Sequence, residues 1–108
     1  MKLPFQNRLI IEESKIRNYL LDTLHHSGAD KAAFFVSHSC NVFSLKEIIL
    51  KQAKDEEYTI KFETLFGEKY ILESSVIMPD SKVIVLRSVW IVLDGTNFVK
   101  FVTAYPIK

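Results

Sequence analysis

Along this chain the spacing of apolar residues changes from helical to alternating near residue 58. Before that point Ile16, Tyr19, Leu20 and Leu24 recur at intervals of three and four, with Glu12, Glu13, Lys15, Arg17 and Asn18 elsewhere on the circumference. That spacing predicts an amphipathic helix with one core-facing stripe, and Leu9-Ile10-Ile11 ahead of it reads as an opening strand or extended lead. Ser27-Gly28-Ala29-Asp30 breaks the pattern, and Asp30 is placed to cap a second helix over residues 31–37. Ser44-Leu45-Lys46-Glu47 has the Ser-x-x-Glu form of a capping box, so a third helix should start there. It would bury Leu45, Ile48, Ile49 and Ala53 and carry Lys51 and Lys54 near the end that its dipole favours.

From Tyr58 the period is two. Tyr58, Ile60 and Phe62 alternate with Thr59, Lys61 and Glu63, the pattern of a strand with one buried face, and Phe66-Gly67-Glu68 turns the chain into a second strand through Lys69–Glu73. After the turn signal Pro79-Asp80-Ser81 come two runs dense in β-branched and aromatic residues, Val83–Leu93 and Phe98–Pro106, joined across Asp94-Gly95-Thr96-Asn97. Such a pair is a strong hairpin signal. Val83–Leu93 is the longest and most apolar strand, which predicts a central position for Trp90. The expected fold is α+β: about three N-terminal helices packed on one face of a four-stranded antiparallel meander sheet, with residues 1–108 as a single domain.

Composition agrees with a self-sufficient core. The 108 residues are 48% hydrophobic and 12% aromatic, and the single cysteine, Cys40, cannot form an internal disulfide. The longest apolar stretch is cut by Arg87 and Ser88, short of the roughly 20 residues of a membrane helix, and Met1–Arg8 does not read as a signal peptide. A soluble, non-membrane protein is therefore expected. Net charge is +1 but uneven: residues 1–54 carry eight Lys/Arg against five Asp/Glu, residues 55–81 two against seven, and residues 82–108 four against one. No basic stripe of the kind that marks a nucleic-acid binder stands out, although an acidic central hairpin beside a basic terminal one can steer a ligand.

The chemistry-bearing residues are few. His25, His26, His38 and Cys40 have no zinc spacing, and the glycines, Gly28, Gly67 and Gly95, form no phosphate loop, so neither a metal nor a nucleotide cofactor is expected. There is no Gly-x-Ser-x-Gly elbow. What remains is a set of basic and hydroxyl groups suited to a phosphate: His25, His26, Lys31, Lys69, Arg87, Ser88, Thr103 and Tyr105. RNA cleavage can run on such a set, because the RNA brings its own 2′-hydroxyl nucleophile and the protein need supply only a base, an acid and a cation. The competing reading is ordinary surface placement, and for Arg87 a structural ion pair. An arginine inside so apolar a strand must reach an edge or find a partner, with Thr103 or a carboxylate such as Glu73 as candidates. A three-residue loop would set Arg87 opposite Thr103, whereas a two- or four-residue loop would pair Ser88 with Thr103 and turn Arg87 away.

These residues resemble an uncharacterised bacterial domain family with a Gly-x-x-Lys-Ala-x-Phe-Phe element, here Gly28–Phe35, and an ending of the form Val-Trp-Ile-Val then Val-Thr-Ala-Tyr-Pro, here Val89–Val92 and Val102–Pro106. Gly67-Glu68-Lys69-Tyr70 and Met78-Pro79-Asp80 fit the same pattern, with Ser81 where glycine is expected. The architecture is similar to that of barnase-like, EndoU-like, colicin-like and RelE-like ribonuclease toxins. This likeness of architecture implies an endoribonuclease-like toxin domain that cleaves RNA without metal, and from the set of basic and hydroxyl groups Arg87, Thr103, His25, Lys31 and Tyr105 are the site residues to expect. RNA and a cognate inhibitor protein are the partners it implies, and the cytoplasm, or an exported effector acting in a target cytoplasm, the setting. The alternative is a non-catalytic protein-binding module of a toxin, adhesin-like or toxin–antitoxin system.

Overall fold

A computed structural model describes residues 1–17 and 34–107. Its centre is a five-stranded sheet built from β1 (Leu9–Ile10), β2 (Ile60–Glu63), β3 (Gly67–Ile77), β4 (Val83–Leu93) and β5 (Val99–Ile107), in the order β1-β5-β4-β3-β2. β2 to β5 run antiparallel in sequence order, but β1 joins β5 in parallel, Leu9 beside Val99 and Ile10 beside Lys100. The four-stranded, wholly antiparallel meander under about three N-terminal helices is thereby corrected to a mixed sheet. Among the described residues, helix is confined to α1 (Glu13–Lys15) with the π turn that continues it through residues 16–17, residues 34–37 and α2 (Val42–Asp55). A two-residue strand has no periodicity to read, and its partner lies some ninety positions away along the sequence, so the parallel edge has no local signature.

α2 starts three residues earlier than the Ser44 box suggests. Asn41 is the N-cap: its side chain accepts from the Ser44 amide at 2.8 Å, while the Ser44 hydroxyl accepts from the Asn41 amide at 2.9 Å. Ser44 thus takes the third position of the box rather than the first. The face turned inward is Leu45, Ile49, Gln52 and Ala53. It lies on a core that includes Ile16, Phe35, Leu72, Leu86, Trp90, Val99, Phe101 and Ala104. Trp90 is fully buried in the middle strand and meets Phe101 edge-on at 5.4 Å.

A polar chain ties α2 to the sheet inside this core. Ser88 donates to the Gln52 carbonyl oxygen at 2.7 Å, Trp90 Nε1 donates to Ser88 Oγ at 3.0 Å, and the Gln52 amide nitrogen donates to Ser74 Oγ and to the Leu86 carbonyl. Every buried side-chain polar atom among the described residues has a partner, which removes the penalty that burial would otherwise impose.

β2 departs from its alternating pattern. All four of its residues are exposed: Ile60 and Phe62, opposite Ile71 and Lys69, lie on the face of the sheet away from α2, and Lys61 and Glu63 lie on the other face of this edge strand. The β2–β3 turn tucks Gly67 against β4: its φ is +154°, and a Cβ there would sit 2.1 Å from the Val92 carbonyl oxygen, so only glycine fits.

Candidate functional site

Alternation divides the long strands cleanly. On β4, Leu86, Ser88 and Trp90 point into the core and Arg87, Val89 and Ile91 point to the opposite, open face. The pairings Glu73–Arg87 between β3 and β4 and Arg87–Tyr105 between β4 and β5 set these three residues in one row across that face. The guanidinium bonds to the Glu73 carboxylate, with Nε donating to Oε1 at 2.7 Å and Nη2 reaching the same oxygen. Nη1 donates to the Tyr105 hydroxyl at 3.1 Å, and the guanidinium carbon lies 5.5 Å from the phenol ring centre. The Tyr105 hydrogen bond, followed by Glu73, holds Arg87 still more firmly in its charged form. About a third of the Arg87 side chain remains accessible. The row is flanked on one side by Ile71, Val89 and Thr103 and on the other by Ser75, Val85 and Ile107.

A β-bulge produces this row. Near the β4–β5 turn Ile91 faces Lys100 and Trp90 faces Phe101, but beyond it Val89 faces Thr103 and Arg87 faces Tyr105, with Val102 as the additional residue. Continued without the bulge, the turn-end register would set Arg87 opposite Ala104 and Ser88 opposite Thr103. Absorbing Val102 instead returns Ala104 to the core and brings Thr103 and Tyr105 to the face of Arg87. The three-residue loop alternative gives the shared face of Arg87 and Thr103 but not the pairing, because every simple loop length assumes a continuous ladder and the bulge breaks it.

Of the sequence-derived candidates, Arg87, Thr103 and Tyr105 therefore share one face, with Glu73 joining them. Ser88 belongs to the buried chain beneath, Lys69 shares the open face with Ile71 and Glu73, and His25, His26 and Lys31 lie outside the described residues. The openness of this face has no mark in the sequence, because a two-sided apolar strand looks the same whether both faces are covered or one is open.

A second polar pair links residues 34–40 to the β3–β4 turn. Asp80 accepts from His38 Nδ1 at 2.9 Å and from the Lys82 amide, and the His38 ring lies against Phe34, tilted by 54° with ring centres 4.7 Å apart. Partial burial pushes the Asp80 carboxyl up, but the Lys82 amide and His38 together outweigh it and hold the group below its usual range. Nearby Cys40 is buried against Met78 Sδ at 3.7 Å, and burial, with Asp80 adding to it, pushes its thiol up to about 11. Such a thiol packs and does not act as a nucleophile. Among the described residues no three of His, Cys, Asp and Glu converge as a metal-binding group, and no helix is long and apolar enough to cross a membrane.

Residues 2–108 match the family described as "Domain of unknown function (DUF6883)". The chain belongs to that family. No protein of curated function is similar to this DUF6883 chain in sequence. In three dimensions it is similar to a chain of a contact-dependent growth inhibition toxin–immunity protein complex from Klebsiella pneumoniae 342, with a TM-score of 0.73, 20% sequence identity, and coverage of 96% of this chain and 97% of that one. At this level of identity the likeness is one of fold, and the DUF6883 chain shares that fold over nearly its whole length.

Proposed function

We propose that this protein is a toxin-type domain that cleaves RNA without a metal, by attack of a ribose 2′-hydroxyl on the adjacent phosphate. The single observation that carries the reading is the Glu73–Arg87–Tyr105 row, which gathers a carboxylate, a guanidinium and a phenol on an accessible sheet face. Glu73 takes the 2′-hydroxyl proton, the 2′-oxygen bonds to phosphorus, and Arg87 balances the charge of the pentavalent phosphorane with its planar donors. The bond to the 5′-oxygen breaks, and Tyr105 protonates that oxygen with Thr103 beside it. The products are a 2′,3′-cyclic phosphate and a free 5′-hydroxyl. His25 and Lys31 are further candidates for contacts to the RNA backbone. The fold shared with a chain of a toxin–immunity complex supports a toxin setting and a cognate inhibitor protein as partner; action in the cytoplasm of a target cell is part of the same proposal.

The test is direct. Purified protein should cleave tRNA or synthetic RNA to cyclic-phosphate ends, and Arg87→Ala and Glu73→Gln should each lower the rate by about a hundredfold or more, as loss of a group that stabilises transition-state charge does. Arg87→Lys should rescue poorly, since lysine lacks the bidentate fork. Intact tRNA, ribosomal RNA and oligonucleotides after incubation with and without divalent metal would overturn the proposal.

The second reading, a non-catalytic protein-binding module, draws on Ile60, Phe62, Ile77, Val83 and Val85, large apolar side chains exposed on or beside the same face. On that reading partner binding depends on these residues and is indifferent to Arg87→Ala.

A further inference from the structure

β3 is eleven residues long, but β2 pairs only with its first half, ending at Ile71. The Thr59 amide donates to the Ile71 carbonyl at 2.7 Å, so the main-chain groups of Ile71 face the β2 side. Antiparallel strands alternate in this respect, which directs the N–H and C=O groups of Glu73, Ser75 and Ile77 the same way, beyond the end of β2. Among the described residues no strand lies beside them. A cleft of about 170 Å³ opens along this free edge, between β3 and α2, with Ile48 and Val76 in its wall and Lys51, Asp55 and Glu56 along its rim.

From these features we infer that the free edge of Glu73–Ile77 accepts an extended segment of a partner protein as a sixth strand, and that this segment alternates apolar and basic residues. Unpaired edge groups supply the main-chain bonds of strand addition, and side chains of alternate residues enter the pockets on either side. One set of the incoming side chains enters the cleft. The other lies on the open face near Ile77 and Val83, which are 67% and 64% exposed. The basic character follows from charge: among the described residues the rim carries two carboxylates, Asp55 and Glu56, against one cation, Lys51, and the bridge of Lys51 to Asp55 at 3.0 Å leaves Glu56 as the surplus charge of the rim. This surface shares Glu73 with the Arg87 row, but through its main chain and not through the carboxylate that bonds Arg87, so strand addition does not depend on RNA cleavage.

The probe is a capped six-residue peptide alternating valine and lysine, titrated into isotope-labelled full-length protein. Backbone amides of Glu73, Ser75 and Ile77 should shift and exchange with solvent at least tenfold more slowly at saturation. The same peptide with glutamate for lysine should bind at least fivefold more weakly. Ser75→Pro removes an edge donor without touching the β4 ladder and should abolish the protection, with near-ultraviolet circular dichroism confirming the fold. Ile77→Lys, an exposed change, should weaken binding severalfold while RNA cleavage is unaltered, and Arg87→Ala should bind the peptide normally, so failure of the one proposal is read apart from failure of the other. Unchanged edge amides, equal binding to folded Ser75→Pro, preference for the glutamate peptide, or a homodimer in which a second copy protects this edge would each overturn the inference.

Discussion

The two faces of β4 are one residue step apart and solve opposite problems. On the covered face Ser88 sits between Leu86 and Trp90, all three fully buried, and its hydroxyl is consumed by Gln52 and Trp90. On the open face Arg87 sits between Val85 and Val89 and keeps part of its surface in water while bonded to Glu73 and Tyr105. The first arrangement locks a helix to a sheet. The second holds charge in a fixed geometry where a ligand can reach it, and a partly accessible ion pair adds little to stability. The contrast teaches that polar groups in an apolar strand are not one class: direction on the pleat separates a bond sealed in the core from a charge that keeps contact with water.

Changes on the covered face should break the fold first. Trp90→Ala removes the largest fully buried side chain and should cost about 3–5 kcal/mol, a large share of the stability of a small domain; calorimetry would show a collapse of Tm. Arg87→Ala should do the reverse, removing the proposed cleavage while Tm falls by no more than a few degrees, and measuring both quantities on the same two variants tests the division. An equal loss of Tm would make Arg87 a structural residue.

Smaller effects sharpen the same contrast. Gln52→Leu leaves the Ser88 hydroxyl and the Leu86 carbonyl without their buried partner and should cost about 1–3 kcal/mol, seen as a lower urea midpoint. Val85→Thr on the open face should stay within about 0.5 kcal/mol of wild type in the same titration. At the Asp80–His38 contact, Asp80 has a folded-state pKa below its unfolded value of about 3.9. Its stabilisation is therefore present above that pH and fades as pH falls through the folded-state value. Asp80→Asn should flatten the fall of Tm between about pH 5 and pH 2. Cys40, with its thiol pushed up to about 11, should react with iodoacetamide at pH 8 far more slowly in folded protein than in urea.

Much of the sheet was legible because its signals are local. The Asp94-Gly95 turn, the density of β-branched residues around it and the length of Val83–Leu93 together put Trp90 in the central strand, and the same apolar context required a partner for Arg87, met by Glu73. What escaped depends on distant pairing. Leu9-Ile10 reads as extended, but nothing in two residues points to Val99-Lys100. The alternation of Ile60 and Phe62 is real, yet the pattern gives a side and not whether anything lies against it. Gln52 is absent from the buried side that apolar spacing gives this helix, although it anchors α2, and the helix is capped at Asn41 because an Asn-x-x-Ser box satisfies the same amides as Ser-x-x-Glu. The register of Thr103 and Tyr105 turned on a bulge, which has no reliable mark in one sequence.

That bulge also sets where the chain tolerates a change of length. Deleting Val102 would leave Phe101 facing Trp90 and Thr103 facing Val89 in an unbroken ladder, so the phenol of Tyr105 would still meet Arg87, with only the local twist relaxed. Deleting one residue between Thr103 and Tyr105 would invert the parity of everything that follows and turn the phenol toward the core side. Relatives of this domain can thus differ by one residue at Val102 and present the same face, while an identical difference two positions later would present another.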